Sequence, residues 1–139
     1  MEVAGDPCHL FDYEVNDMTI QEVIDQVDRH LMNTYDKKDK IRWLSRLDSR
    51  VKTEIIDTHE GGEAVIFNGY DENTNGATVL LIPEPFGEIY LRYLEAQIHY
   101  ANQEEDRCNN ASDAFETKWA AFRNWYNRQH MPMGQNLSV

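Results

Sequence analysis

The chain has 139 residues, enough for one domain with a genuine core. Its 41% hydrophobic and 27% charged residues fit a globular protein, and a formal net charge of -12 argues against nucleic-acid binding through a basic surface. No apolar run approaches the ~20 residues of a membrane span, and Met1–Tyr13 lacks the basic start and apolar stretch of a signal peptide. Cys8 and Cys108 lie in unrelated contexts without metal spacing, which fits two free thiols in a reducing compartment rather than a disulfide.

Residues 1–17 have little pattern and read as an N-terminal extension, with Met18-Thr19 as a natural start and Leu10, Phe11 and Tyr13 able to pin the arm to the body. Thr19-Ile-Gln-Glu22 is a capping box. The helix it opens runs to about Leu31, with Ile20, Val23, Ile24, Val27 and Leu31 on one face, and ends near Asn33. Asp36 then caps a longer helix from Lys37 to about Thr58. Ile41, Leu44, Leu47, Val51 and Ile55 form its apolar stripe, with Trp43 at the margin. On another side Lys38, Arg42, Arg46 and Arg50 repeat every four residues, a spacing that makes them neighbours on a helix surface. Such a row is a solvated face neutralised by acids such as Asp39 and Glu54, a contact stripe for an acidic surface such as another copy of the chain, or a DNA-facing stripe.

His59-Glu-Gly-Gly62 ends this helix, its glycines supplying positive φ. Two β-leaning runs follow, Ala64–Phe67 and Thr78–Ile82, separated by turn signals at Asn68-Gly69 and Asn75-Gly76. Residues 60–84 therefore form a short β-hairpin or a long ordered loop. A loop of this length is usually functional or disordered. The acids Asp71 and Glu72 miss the spacing of a calcium loop.

Pro83 and Pro85 block helix upstream of a segment from Phe86 to Glu105. There Ile89, Tyr90, Tyr93, Leu94, Ala96, Ile98, Tyr100 and Ala101 cover more than half the circumference. A helix packed on one surface needs an apolar stripe of only ~100°. This one is either the centre of a bundle or meets another subunit. Asn109-Asn-Ala-Ser112 reads as the break before the last helix, in which Phe115, Trp119, Phe122 and Tyr126 form an aromatic ridge for the core. Residues 131–139 cannot continue the helix past Pro132 and read as a tail, either frayed or serving as a docking peptide. The expected fold is mainly α: about four helices in a bundle over 18–130, with a loop or hairpin insertion at about 60–84 and flexible termini. The five histidines form no metal-binding pair, and no nucleophile or phosphate-loop motif is present, so no catalytic residue, metal or cofactor is expected and the chain reads as an assembly component, not an enzyme.

Three stretches together carry a resemblance: Leu81-Ile-Pro-Glu-Pro-Phe-Gly-Glu-Ile-Tyr-Leu-Arg-Tyr-Leu-Glu-Ala-Gln-Ile-His-Tyr-Ala-Asn102, Cys108-Asn-Asn110, and Phe122-Arg-Asn-Trp-Tyr-Asn-Arg-Gln-His-Met-Pro132. With Met18–Ile24, Lys40–Leu44, Glu54–Glu60 and Phe67–Asn73, they make the chain similar over about 18–132 to the head–tail connector (adaptor) proteins of tailed bacteriophages and prophages. It departs from them in residues 1–17, in Leu31-Met32 where a proline-containing turn is expected, and in Cys108 where an aromatic is common. The resemblance implies a virion protein of the neck, made in the host cytoplasm, that forms a ring, typically dodecameric, below the portal. The ring extends the channel around double-stranded DNA without reading its sequence and docks the next neck or tail protein; no membrane is involved. It also implies portal docking by the C-terminal end, here Arg128, His130, Met131, Pro132 and Met133, and inter-subunit or downstream contacts by the middle loop, here Tyr70 and Asp71. Independently of the resemblance, the row Lys38, Arg42, Arg46 and Arg50 is expected to meet an acidic face of the next subunit. A tail-completion or stopper protein is the nearest alternative. An acidic regulator mimicking DNA and binding a basic host protein is the alternative from another class, although its acids are dispersed and interrupted by the cation row.

Overall fold

A computed structural model describes residues 17–133, and the expectations for residues 1–16 and 134–139 lie outside them. Among the described residues the protein is mainly helical, with four α-helices and no strand beyond isolated bridges. Helix α1, Ile20–His30, starts at the expected capping box: the Glu22 amide donates to Thr19 Oγ1 at 3.2 Å, and the Thr19 amide donates back to Glu22 Oε1 at 2.9 Å. Ile20, Val23, Ile24 and Val27 are buried. The helix stops at His30, because Leu31 is already extended at φ -139°, and Asn33 lies beyond the end with its side chain bonded to Asp28 and the Leu31 carbonyl.

Helix α2, Lys37–Val51, begins at Asp36, whose backbone has capping geometry but whose side chain makes no capping bond. Its carbonyl accepts from the Asp39 and Lys40 amides instead. The expected stripe, Ile41, Leu44, Leu47, Val51 and Ile55, is buried. The α-helix does not run to Thr58: from Lys52 to Ile56 it widens into a π turn, with the Asp57 amide donating to the Lys52 carbonyl at 2.8 Å. In a regular α-helix Ile56 would sit ~140° round from Val51. The longer π turn brings it back toward the stripe, and Ile56 is buried beside Ile55.

The segment between α2 and α3 is an ordered loop, not a hairpin. The two β-leaning runs do not pair with each other. Thr78–Leu80 instead lies along the start of α1: the Leu80 amide donates to the Met18 carbonyl at 2.9 Å, and Val79 and Thr19 form an antiparallel bridge. The Thr78 and Gly76 carbonyls accept from the Ile20 and Gln21 amides, both at 3.0 Å, so the loop satisfies two donors that the helix start leaves unpaired. Gly61 takes the expected left-handed conformation at φ +85°, but its neighbour Gly62 is required for a different reason: a Cβ there would collide with the Ile56 carbonyl.

Helix α3, Glu88–Ala101, is the centre of the bundle and packs against α1, α2 and α4. Ile89, Tyr90, Leu94, Ala96 and Ile98 are buried, while Tyr100 and Ala101 emerge into solvent at the end. The chain then turns at Asn102–Glu104, with Gln103 at φ +61°, and α4 runs unbroken over Glu105–Gln129. The break expected at Asn109–Ser112 is therefore misplaced by about two turns. The turn forms earlier because the Glu104 amide donates to the His99 carbonyl at 2.9 Å, His99 Nδ1 meets Glu104 Oε1 at 2.7 Å, and Tyr35 donates across from the α1–α2 turn to Asn102 Oδ1. Glu105 and Asp106 favour the positive end of the helix dipole there. Asn109 and Asn110 stay exposed within α4, where their propensity costs only tenths of a kcal/mol, while Ala111 is buried beside them. Phe115, Trp119, Phe122 and Tyr126 fill the core as expected.

Candidate interaction surfaces

The loop is held in place by an acid that the helical period sets inside the apolar stripe of α2. Asp48 on α2 is fully buried. Its Oδ2 accepts from the Tyr70 hydroxyl at 2.6 Å and the Leu81 amide at 3.1 Å, and its Oδ1 accepts from the Tyr90 hydroxyl at 2.7 Å. Tyr90 in turn accepts from the Ile82 amide at 2.7 Å. The middle of the loop, at Tyr70, and its C-terminal part, at Leu81 and Ile82, are thereby tied to α2 and α3. Burial raises the Asp48 carboxyl above its ordinary value, against the opposing pull of the Tyr70, Tyr90 and Leu81 bonds. Burial and the adjacent carboxylate likewise raise both tyrosine hydroxyls, which stay protonated as donors. Tyr70, expected at an inter-subunit contact, thus directs its hydroxyl inward, and its ring meets Phe67 edge-on at 5.0 Å. Asp71 is exposed, and its carboxylate closes a local turn by accepting from the Asn73 amide at 2.9 Å.

The cation row is divided. Lys38, Arg42 and Arg46 are exposed along α2. Arg42 pairs with Asp39 at 2.8 Å, while Lys38 and Arg46 have no carboxylate partner among the described residues. Arg46 lies against Tyr93 on α3; burial raises that hydroxyl and the charges of Arg46 and Arg50 oppose the shift. Arg50 turns inward, its guanidinium 4.4 Å from the Trp119 ring centre, and pairs with Glu54 at 3.2 Å. The expected acids Asp39 and Glu54 do neutralise part of the row, but its N-terminal three residues remain a surface.

The C-terminal residues are less free than the sequence implied. Arg128 is exposed. The His130 ring stacks on Tyr126 at 4.1 Å, and Tyr126 meets His59 edge-on at 4.8 Å. His59 is buried between the Ile55 carbonyl, 2.5 Å from its Nδ1, and Asn127 Oδ1, 2.6 Å from its Nε2. Beyond His130, the Met131 carbonyl accepts from the Glu60 amide at 2.9 Å and the Met133 amide donates to the Thr58 carbonyl at 2.7 Å, with Pro132 bridging to His59. The tail expected from residue 131 is therefore paired with its own chain through residue 133, leaving the Met131 and Met133 side chains exposed.

No group of three or more His, Cys, Asp or Glu side chains is arranged to hold a metal among the described residues. A surface depression of about 590 Å³ lies open around the α3–α4 turn between Tyr100 and Asn109 and gathers no reactive set. No helix of the described residues is long and apolar enough to cross a membrane. No family profile, curated protein or solved structure matches the chain.

Proposed function

We propose that this chain is a structural subunit of a tailed-phage neck: a head-to-tail adaptor that forms a ring below the portal, extends the DNA channel and docks the next neck or tail protein. The observation that carries the reading is the combined set of motifs over 18–132, above all the run from Leu81 to Asn102. Three physical features support it. The connecting loop is ordered and tied to the bundle through Asp48, as a loop that contacts neighbours needs to be. Cationic Lys38, Arg42 and Arg46 offer a contact face in a chain of net charge -12. An acidic ring wall repels phosphate, so DNA slides through it instead of adhering.

The test is quantitative mass spectrometry of purified virions. Copies equal in number to the portal subunit support the adaptor role. Absence from virions overturns it and favours the regulator that binds a basic host protein.

A further inference from the structure

We infer that the exposed row Lys38, Arg42 and Arg46 binds the acidic face of α4, formed by Glu105, Asp106, Asp113 and Glu116, on a second copy of this chain. The inference deepens the ring reading and rests on it for stoichiometry.

The two faces match in length and sign. At 1.5 Å per residue the cation row extends ~12 Å along α2 and the acidic row ~16 Å along α4. At 100° per residue the four acids fall within an arc of ~100° centred ~120° round α4 from the ridge Phe115–Tyr126, so they flank the buried face. All four acids and all three cations are exposed. Among the described residues no ion pair joins the two faces within one chain, and none of the four acids has a cationic partner. Elsewhere acids and bases are paired locally, as Arg92 is with Glu88 and Glu95, and Lys118 with Glu88. The acidic row is thus unpaired within its own chain among the described residues, and of the three exposed cations only Arg42 has a carboxylate partner, Asp39.

A second copy fits better than nucleic acid. Three cations flanked by Asp39 and Glu54 on a chain of net charge -12 are too few to hold a phosphate backbone against the field of the rest. A contact between two different faces is heterologous, so each copy keeps one face of each kind open, and the series closes into a ring when the rotation permits. Exposed ion pairs contribute little singly and weaken with salt, so the contact is a steering and register device, strongest at low ionic strength.

The experiment uses the full chain and sedimentation velocity in 50 mM and 500 mM NaCl. The wild type is expected to associate at 50 mM and to dissociate at 500 mM. Arg42→Glu with Arg46→Glu, and separately Asp113→Lys with Glu116→Lys, are each expected to weaken association at least tenfold with the helical circular dichroism unchanged. Mixing the two double variants, or combining all four reversals in one chain, restores it, because every cation row again meets an opposite face. Carbodiimide cross-linking of a mixed isotopic sample is expected to join Lys38 to an acid of α4 between chains. A wild type that stays monomeric at 50 mM, reversals without effect, or a mixture that fails to reassociate would each overturn the contact, as would reversals that lose DNA retention while association stays intact. Virion abundance is measured independently, so a neck protein whose copies meet by other faces is told apart from a chain that is no neck protein.

Discussion

At the scale of single residues, Asp48 gathers three donors from the loop and α3, and the helical period marked its place: at 100° per residue it falls within ~20° of Ile41 and Ile55, inside the apolar stripe of α2. In sequence it is one acid in Leu-Asp-Ser-Arg on a charged helix, and only the return of the loop past α2 places three donors around it. Removing the carboxylate in Asp48→Ala leaves the Tyr90 hydroxyl and Leu81 amide without an acceptor, while half-buried Tyr70 can turn to water. We expect a loss of about 2–4 kcal/mol in urea unfolding. Asp48→Asn keeps one acceptor oxygen but turns an amide toward the Tyr90 hydroxyl, so its loss is smaller. The pH dependence separates the two effects. Because burial raises the folded-state value of Asp48 above that of the unfolded chain, its stabilising contribution is full below the unfolded carboxylate value near 4 and is lost as pH rises through the folded value. The stability gap between wild type and Asp48→Asn is therefore widest in acid and narrows toward pH 7. A gap that widens with pH would mean that the ionised carboxylate is the favoured folded form. Gly62 makes a similar point about legibility: its sequence neighbourhood promised a positive φ, which Gly61 supplies, whereas Gly62 is fixed by contact with the Ile56 carbonyl. Since that contact is with backbone, Gly62→Ala is expected to destabilise by about 1–3 kcal/mol through displacement of the π turn, seen as a lower urea midpoint at unchanged m.

At the scale of elements, the signals that survived were those that satisfy backbone groups locally or repeat at the helical period. The capping box at Thr19, the stripe of α2 and the ridge of α4 all appear as read. Those that failed were propensities overridden by distant partners. Asn109–Ser112 looked like a turn, but the bond network of His99, Asn102, Glu104 and Tyr35 sets the turn earlier. Its bond to His99 holds Glu104 below the ordinary carboxylate range. For Ala64–Phe67 and Thr78–Ile82 the sequence left a hairpin and an ordered loop both open, and the loop is what forms, because Thr78–Leu80 pairs with the start of α1. The candidate faces divide in the same way: the cation row was visible from its four-residue spacing, whereas the inward turn of Arg50 and the pairing of Met131–Met133 with Thr58–Glu60 depend on contacts between segments far apart in the chain. The start of α1 is consequently a joint between helix and loop. Thr19→Ala removes the acceptor for the Glu22 amide and is expected to cost about 1 kcal/mol. Because the same turn receives the Thr78 and Gly76 carbonyls, hydrogen exchange should quicken at Ile20 and Gln21 as well as at Glu22. Acceleration confined to Glu22 would mean that the loop holds the helix start without help from the box.

For the whole molecule, the question of sign is whether charge stabilises or opposes the fold. Attraction comes from pairs such as Arg42–Asp39, Arg50–Glu54 and Arg92–Glu88, all of them at least partly exposed and each worth less than about 1 kcal/mol. Against these stands the repulsion of a chain with 25 acidic and 13 basic residues. Repulsion acts over the whole surface at separations comparable to the Debye length, ~30 Å at 0.01 M and ~8 Å at 0.15 M, so salt removes it more completely than it removes pairs in contact. The isolated subunit should therefore gain stability as NaCl rises from 10 to 300 mM. Association of the wild type through its cation row would favour low salt instead, so the two effects oppose each other in one sample. In the variant Arg42→Glu with Arg46→Glu both effects act in the same direction: it is still more acidic and lacks the contact, so its melting temperature should climb with salt more steeply than that of the wild type at the same concentration. Equal slopes would show that neither the added acid nor the lost contact alters the salt response. A falling slope in the variant would show that local ion pairs, not net repulsion, dominate the electrostatics of this fold.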